Sequence, residues 1–155
     1  MAKIKICGMM RPQDIAYVNE AQPDYIGFIL TDGFRRSISK KTAQQLKALL
    51  DPKIKAVGVF VDDEIQKIQS FIDENIIDMV QLHGQESPAY CAQITGAPII
   101  KAIICTEDMA DAMANYPVDY FLFDSGRGSG RQLDISLLPQ SEKPFFLAGG
   151  VTTDT

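Results

Sequence analysis

Seven short apolar runs recur along the chain at intervals of roughly twenty to twenty-five residues, with amphipathic stretches between them. They lie at 4–7, 24–30, 55–61, 79–82, 98–104, 119–123 and 145–147. Val, Ile and Phe dominate these runs and few polar residues interrupt them, as in strands covered on both faces. The intervening stretches carry helical spacing. Residues 12–22 open on Pro12, suited to a first helical position. Residues 39–50 space Ala43, Leu46, Leu49 and Leu50 along one side, and 62–75 do the same with Ile65, Ile68 and Ile72. A shorter helix is expected at 87–94, and another opens at Thr106 with Ala110, Ala112 and Met113 following. Strict strand–helix alternation predicts βαβ units and a parallel sheet. Two architectures satisfy it, an open doubly wound sheet and a (βα)8 TIM barrel. A barrel needs an eighth unit, whereas the polar stretch 149–155 reads as the start of another loop and helix. The expectation is a single domain over 1–155 that ends just after its seventh strand, C-terminally incomplete.

Composition narrows the function classes. With 155 residues the chain can bury one substantial core. The net charge is −5 and no Lys/Arg cluster stands against it, which speaks against nucleic acid, whose binding needs clustered cations. No window approaches the apolar length of a membrane span. MAKIKICG lacks the apolar stretch of a signal peptide, so no membrane role is expected and the cytoplasm is the expected compartment. Three cysteines, Cys7, Cys91 and Cys105, show no pair spacing, and His83 is the single histidine. Disulfide and zinc chemistry are not indicated.

Several residues stand where barrel and doubly wound folds build their sites, at the C-terminal ends of strands. Cys7 closes the first run, and period-2 geometry sets Lys3, Lys5 and Cys7 on one face, with Ile4 and Ile6 on the other. A nearby cation favours the reactive thiolate, although most free cysteines are simply small buried hydrophobes. Asp124 closes the sixth run, Tyr120-Phe121-Leu122-Phe123-Asp124. Poor solvation there would disfavour the charged carboxylate and suit a general acid; a turn or helix-capping role is the commoner one. Next comes Ser-Gly-Arg-Gly-Ser-Gly-Arg at 125–131, whose backbone N–H groups could turn toward an anion. Gly149-Gly150 offers a second such turn, and either could equally be a plain connector. Arg36, beside Arg35, could pair bidentately with a carboxylate or be a solvated surface residue. His83 ends the fourth run, Val80-Gln81-Leu82-His83-Gly84, where a satisfied polar residue is the commoner reading.

Taken in order, KICGM at 5–9, YIGFIL at 25–30, RRSIS at 35–39, VGVFVD at 57–62, VQLHG at 80–84, IIKAI at 99–103, FLFDSGRGSGRQLD at 121–134 and FFLAGG at 145–150 form a set. The chain resembles the phosphoribosylanthranilate isomerase family of tryptophan biosynthesis across essentially its whole length. The resemblance implies a (βα)8 barrel working without cofactor or metal on a small phosphorylated substrate, as a monomer or homodimer. It implies that Cys7 is the general base and Asp124 the general acid of an Amadori rearrangement, and that Arg36 holds the anthranilate carboxylate. Gly128, Ser129 and Gly130, with Gly149 and Gly150, would grip the phosphate. Gln81 and His83 of VQLHG count among the substrate-binding candidates. One departure is Phe34, where the family usually has Ser two positions before this arginine.

Two other readings compete. A seven-stranded remnant without activity could bind a phosphate, or a partner chain through open strand edges. An open doubly wound phosphate-binding module fits less well, because the Gly-rich loop follows strand six and not strand one.

Overall fold

The computed structural model describes residues 2–104, 113, 115–125, 138, 143–149 and 151. Seven strands form one parallel sheet in sequence order: β1 (Lys5–Cys7), β2 (Tyr25–Ile29), β3 (Lys55–Phe60), β4 (Met79–Leu82), β5 (Ile99–Ile104), β6 (Tyr120–Asp124) and β7 (Phe145–Ala148). Helices α1 (Pro12–Ala21), α2 (Lys40–Leu49), α3 (Ile65–Asp73) and α4 (Pro88–Cys91) connect successive strands from β1 to β5. Each strand pairs only with its neighbours in sequence, which is the barrel arrangement and not the reversing order of a doubly wound sheet. The helix expected to open at Thr106 lies outside the described residues, apart from Met113.

The alternation of side chains sorts the core into two layers. Ile26, Phe28, Phe60, Val80, Leu82, Ile103, Phe121 and Phe123 point outward and pack with Ile15, Val18, Leu46, Ile68 and Phe71 of the helices. Tyr25, Val57, Met79, Ile100, Ala102 and Leu122 point inward and form a separate cluster. That inner layer shows the curl of the sheet. The Tyr25 ring on β2 meets the Phe146 ring on β7 edge-on, centroids 5.2 Å apart, although four strands lie between them in the row. The sheet is rolled toward closure around its own side chains, as in the (βα)8-barrel family.

Local chemistry sets the helix limits. Ser39 and Ser87 cap α2 and α4 by accepting the Thr42 and Tyr90 backbone N–H groups at 3.2 and 3.1 Å. The helix expected over 62–75 begins only at Ile65. Asp62 takes a left-handed conformation, φ 48°, and its carboxylate accepts the Gln85 N–H at 2.7 Å. Asp63 uses its carboxylate on Thr31, Lys67 and the Glu64 N–H. The two acids tie loops together instead of extending a helix. The helix expected over 87–94 is likewise shorter, closing at Cys91.

Candidate active site

Inward alternation carries Lys5 and Cys7 of β1, Gln81 of β4 with the following His83, and Asp124 of β6 onto the concave face, with Cys7, His83 and Asp124 at the C-terminal strand ends. Two groups of contacts organise that end.

The first surrounds Cys7. Its partner across the ladder is Gly27, and a Cβ at residue 27 would stand 2.6 Å from Cys7 Sγ. A glycine inside the apolar strand Tyr-Ile-Gly-Phe-Ile therefore makes room for the thiol. Gly8, with φ +88°, turns the chain immediately after Cys7. A Cβ there would meet Arg36 Cδ at 2.7 Å, so the exposed Arg36 side chain lies across the end of β1. Arg36 reaches this place through a loop that Ser37 holds. Ser37 Oγ donates to the Thr31 carbonyl at 2.6 Å and accepts the Phe34 N–H at 3.0 Å. Phe34 takes part through its backbone while its ring is exposed, so the loop closes with Phe at this position.

The second group joins β4, β6 and β7. Gln81 Nε2 lies 2.9 Å from His83 Nδ1, and His83 Nε2 lies 3.0 Å from Asp124 Oδ2. Gln81 is 2% exposed and Asp124 7%; the single histidine thus links a buried amide to a buried carboxyl. On β5, between the two strands, the inward residue Ala102 contributes only a methyl group. Gly149, φ +88°, packs against Asp124 and Ser125: a Cβ there would collide with Ser125 Oγ and sit 3.0 Å from Asp124 Oδ1. A hollow of about 260 Å³ opens beside this group, bounded by His83, Gly84, Gln85, Lys101, Ala102 and Tyr116 among others.

The loop that carries His83 is braced from below. Glu86 is buried, and its carboxylate accepts the Gly84 N–H at 2.9 Å, the Asp62 N–H at 2.9 Å and Lys101 Nζ at 3.0 Å. Lys101 Nζ also donates to the Gly84 carbonyl at 2.8 Å, and the Tyr116 hydroxyl donates to the Glu86 carbonyl at 2.6 Å. Asp62 takes Gly84's missing side chain as its own space, since a Cβ there would stand 2.6 Å from its carboxyl. On the far side, Tyr90 donates to the Asp63 carbonyl, and burial with the nearby Glu86 and Asp63 charges pushes its phenol up to about 12. For Asp63, burial alone would raise the carboxyl, but the bonds from Lys67, Thr31 and the Glu64 N–H outweigh it and hold the group below its ordinary value. Sequence reasoning did not single out Gly27, Glu86 or Lys101. The visible signals were a glycine inside YIGFI and a lysine inside IIKAI, since a strand glycine marks close approach and a buried lysine must find a partner.

Gly128, Ser129, Gly130 and Gly150 lie outside the described residues, as does the rest of the loop at 126–131. Among the described residues, no three His, Cys, Asp or Glu side chains come together to hold a metal ion, and no helix is long and apolar enough to cross a membrane.

A rolled parallel sheet with strands paired in sequence order defines a protein of the (βα)8-barrel class, and the thiol, guanidinium, imidazole and carboxyl at the C-terminal strand ends form a candidate site on the face such barrels use. Residues 4–155 match the family described as N-(5'phosphoribosyl)anthranilate (PRA) isomerase, and the chain belongs to that family. Among its relatives, an N-(5'-phosphoribosyl)anthranilate isomerase from Endomicrobium trichonymphae is 40% identical, the match covering 99% of this chain and 80% of the relative. The crystal structure of the phosphoribosyl anthranilate isomerase from Thermotoga maritima superposes with a TM-score of 0.87 at 32% identity, over 97% of this chain and 78% of that one. A phosphoribosyl anthranilate isomerase structure in complex with reduced 1-(o-carboxyphenylamino)-1-deoxyribulose 5-phosphate matches with a TM-score of 0.74 at 32% identity, over 80% of this chain and 65% of that one.

Proposed function

We propose that this chain converts N-(5-phosphoribosyl)anthranilate to 1-(2-carboxyphenylamino)-1-deoxyribulose 5-phosphate, an Amadori rearrangement in tryptophan biosynthesis. The supporting observation is the family match over 4–155, joined to a thiol and a carboxyl that both point into the concave face at the C-terminal strand ends. The related protein crystallised with the reduced aminodeoxyribulose phosphate supports the same substrate class.

Asp124 is the general acid. Its proton passes to the ribose ring oxygen as the C1–O bond breaks and the anilino nitrogen lone pair forms a C=N bond. Cys7 is the general base. Its thiolate removes the proton from C2, and that electron pair forms the C1=C2 enolamine while nitrogen recovers its lone pair. Tautomerisation of the enolamine gives the ketone. Two groups held on different strands serve the two transfers without competing for one proton. Arg36, laid across Gly8, pairs with the anthranilate carboxylate. Gly128, Ser129 and Gly130, with Gly149 and Gly150, hold the phosphate, and the left-handed turn at Gly149 suits that task.

The test is turnover by purified C7A and D124A, with folding followed by urea titration. Each variant should lose about 10²- to 10⁴-fold in kcat while its unfolding midpoint stays near that of the parent. Wild-type turnover in both variants sinks the acid–base assignment. A parent chain that binds the phosphorylated ligand without turnover returns the second reading, a phosphate-binding module, which the exposed apolar side chains Ile4, Ile6, Phe145 and Leu147 on β7 and at β1 favour as an interaction surface.

A further inference from the structure

One hydroxyl closes the loop between β2 and α2. Ser37 Oγ accepts the Phe34 N–H at 3.0 Å and donates to the Thr31 carbonyl at 2.6 Å. Both directions are fixed, because a backbone N–H can only donate and a carbonyl oxygen can only accept. The Ser37 N–H returns to the Phe34 carbonyl at 3.1 Å. Residues 34 and 37 are thus bonded to each other twice, and Arg36 stands on the turn between them. Each end of the loop is anchored as well. Thr31 Oγ1 donates to Asp63 Oδ2 and accepts the Val61 N–H, each at 2.9 Å. The Ile38 N–H donates to the Ile29 carbonyl at 3.0 Å, and the Ile38 side chain is buried.

The guanidinium carried by this tied loop is itself untied. Among the described residues no carboxylate pairs with Arg36. Its stem lies over Gly8, where a Cβ would stand 2.7 Å from Cδ and 3.1 Å from Nη1. We infer that Ser37 is a positioning residue for Arg36 and, through it, sets this chain's preference for a ligand whose aromatic ring carries a carboxylate. The inference rests on the proposed pairing of Arg36 with the anthranilate carboxylate. A bidentate pair needs two N–H groups in the plane of the carboxylate, so it tolerates little drift of the backbone that carries the arginine. Without the hydroxyl, the Phe34 N–H and the Thr31 carbonyl lose this shared partner, and the turn that aims the guanidinium past Gly8 opens. Contacts to the phosphate or the sugar hydroxyls do not pass through Ser37.

The test is calorimetric binding of two ligands. One is reduced 1-(2-carboxyphenylamino)-1-deoxyribulose 5-phosphate; the other is its phenylamino counterpart, which lacks only the carboxylate. The parent should hold the first about tenfold or more tightly than the second. R36A should bring the two within about twofold of each other by weakening the first. S37A should weaken the first about fivefold or more and leave the second within about twofold of the parental Kd. S37T keeps the hydroxyl and should bind both ligands as the parent does. In R36A/S37A the loss beyond R36A should be less than about twofold, because Ser37 acts through the guanidinium. Equal weakening of both ligands in S37A, a parental Kd for the first, or a loss in the double variant equal to the product of the single losses overturns the inference. R36A separates the two levels. A parental preference for the carboxylated ligand in R36A removes the Arg36 reading and this inference with it; a preference lost in R36A but kept in S37A removes the inference alone.

Discussion

Gly27 shows how much of this site is made by what a residue lacks. The Cys7 thiol lies where a side chain on β2 would otherwise stand, 2.6 Å from the Cβ that residue 27 does not have. G27A therefore acts on the thiol before it acts on the fold. Residue 27 is not among the positive-φ positions, so alanine meets no backbone penalty, and the added methyl must displace the sulfur. The expected outcome is a urea midpoint close to the parental one, with kcat reduced at least tenfold. Thiol alkylation rates, measured alongside, should change as Sγ moves; parental kcat and parental alkylation together would show that the thiol does not depend on this gap. Glycine matters differently at residue 8. There the left-handed φ of +88° and the Arg36 side chain both exclude a Cβ, so one position fixes the turn after Cys7 and the path of the arginine.

At the scale of elements, the strands were legible because β-branched and aromatic runs of this length have few other uses. All seven expected runs became strands, with ends shifted by a residue or so, a normal ambiguity of helix and strand limits. The start of α3 was not legible. Its apolar spacing reaches back toward Asp62, and only the distant bonds to Gln85 and Thr31 show that Asp62 and Asp63 belong to the loop. The Gln81–His83–Asp124 chain was hidden for a similar reason: the imidazole, just after β4, and the carboxyl, at the end of β6, are 41 residues apart with β5 between the two strands. The short helix α4 makes one such distant bond, from the Tyr90 hydroxyl to the Asp63 carbonyl. Y90F removes it and should cost about 1 kcal/mol at neutral pH. In the unfolded chain tyrosine ionises near 10.0, whereas the folded protein keeps the Tyr90 proton until about 12. The phenol's contribution is therefore complete below pH 10 and is lost as pH rises toward 12. Urea midpoints of the parent and Y90F should differ by a constant margin up to that point and converge above it. A margin that stays constant through the alkaline range would show that the folded phenol titrates normally.

The rolled sheet holds Cys7 of β1 and Asp124 of β6 on non-adjacent strands, and under the proposed mechanism these two groups would approach one substrate from two directions. β1 and β6 are not neighbours in the ladder, and besides the ladder an inner aromatic layer ties the two ends of the row together. Phe146 touches Tyr25 at 5.2 Å and Tyr120 at 5.7 Å between ring centroids, joining β7 to β2 across the interior and to β6 beside it. Phe145, one residue earlier, points the other way and is 48% exposed. The two phenylalanines thus form a matched pair of probes. F146A removes the interior contact and should cost about 3 kcal/mol, at the low end for a phenylalanine truncation because the ring is only partly buried. It should also lower kcat by more than the lost stability explains when assayed well below the unfolding midpoint, because the curl relaxes and Cys7 and Asp124 separate. F145A loses its contact with Phe123 on the outer layer and should cost less stability while leaving kcat within about twofold, a difference below 0.5 kcal/mol in barrier. Equal losses of kcat in the two variants would mean that the interior rings fill space without setting the distance between Cys7 and Asp124. A selective loss in F146A would make the aromatic layer part of how this chain spaces the two groups to which the proposed mechanism gives the proton transfers.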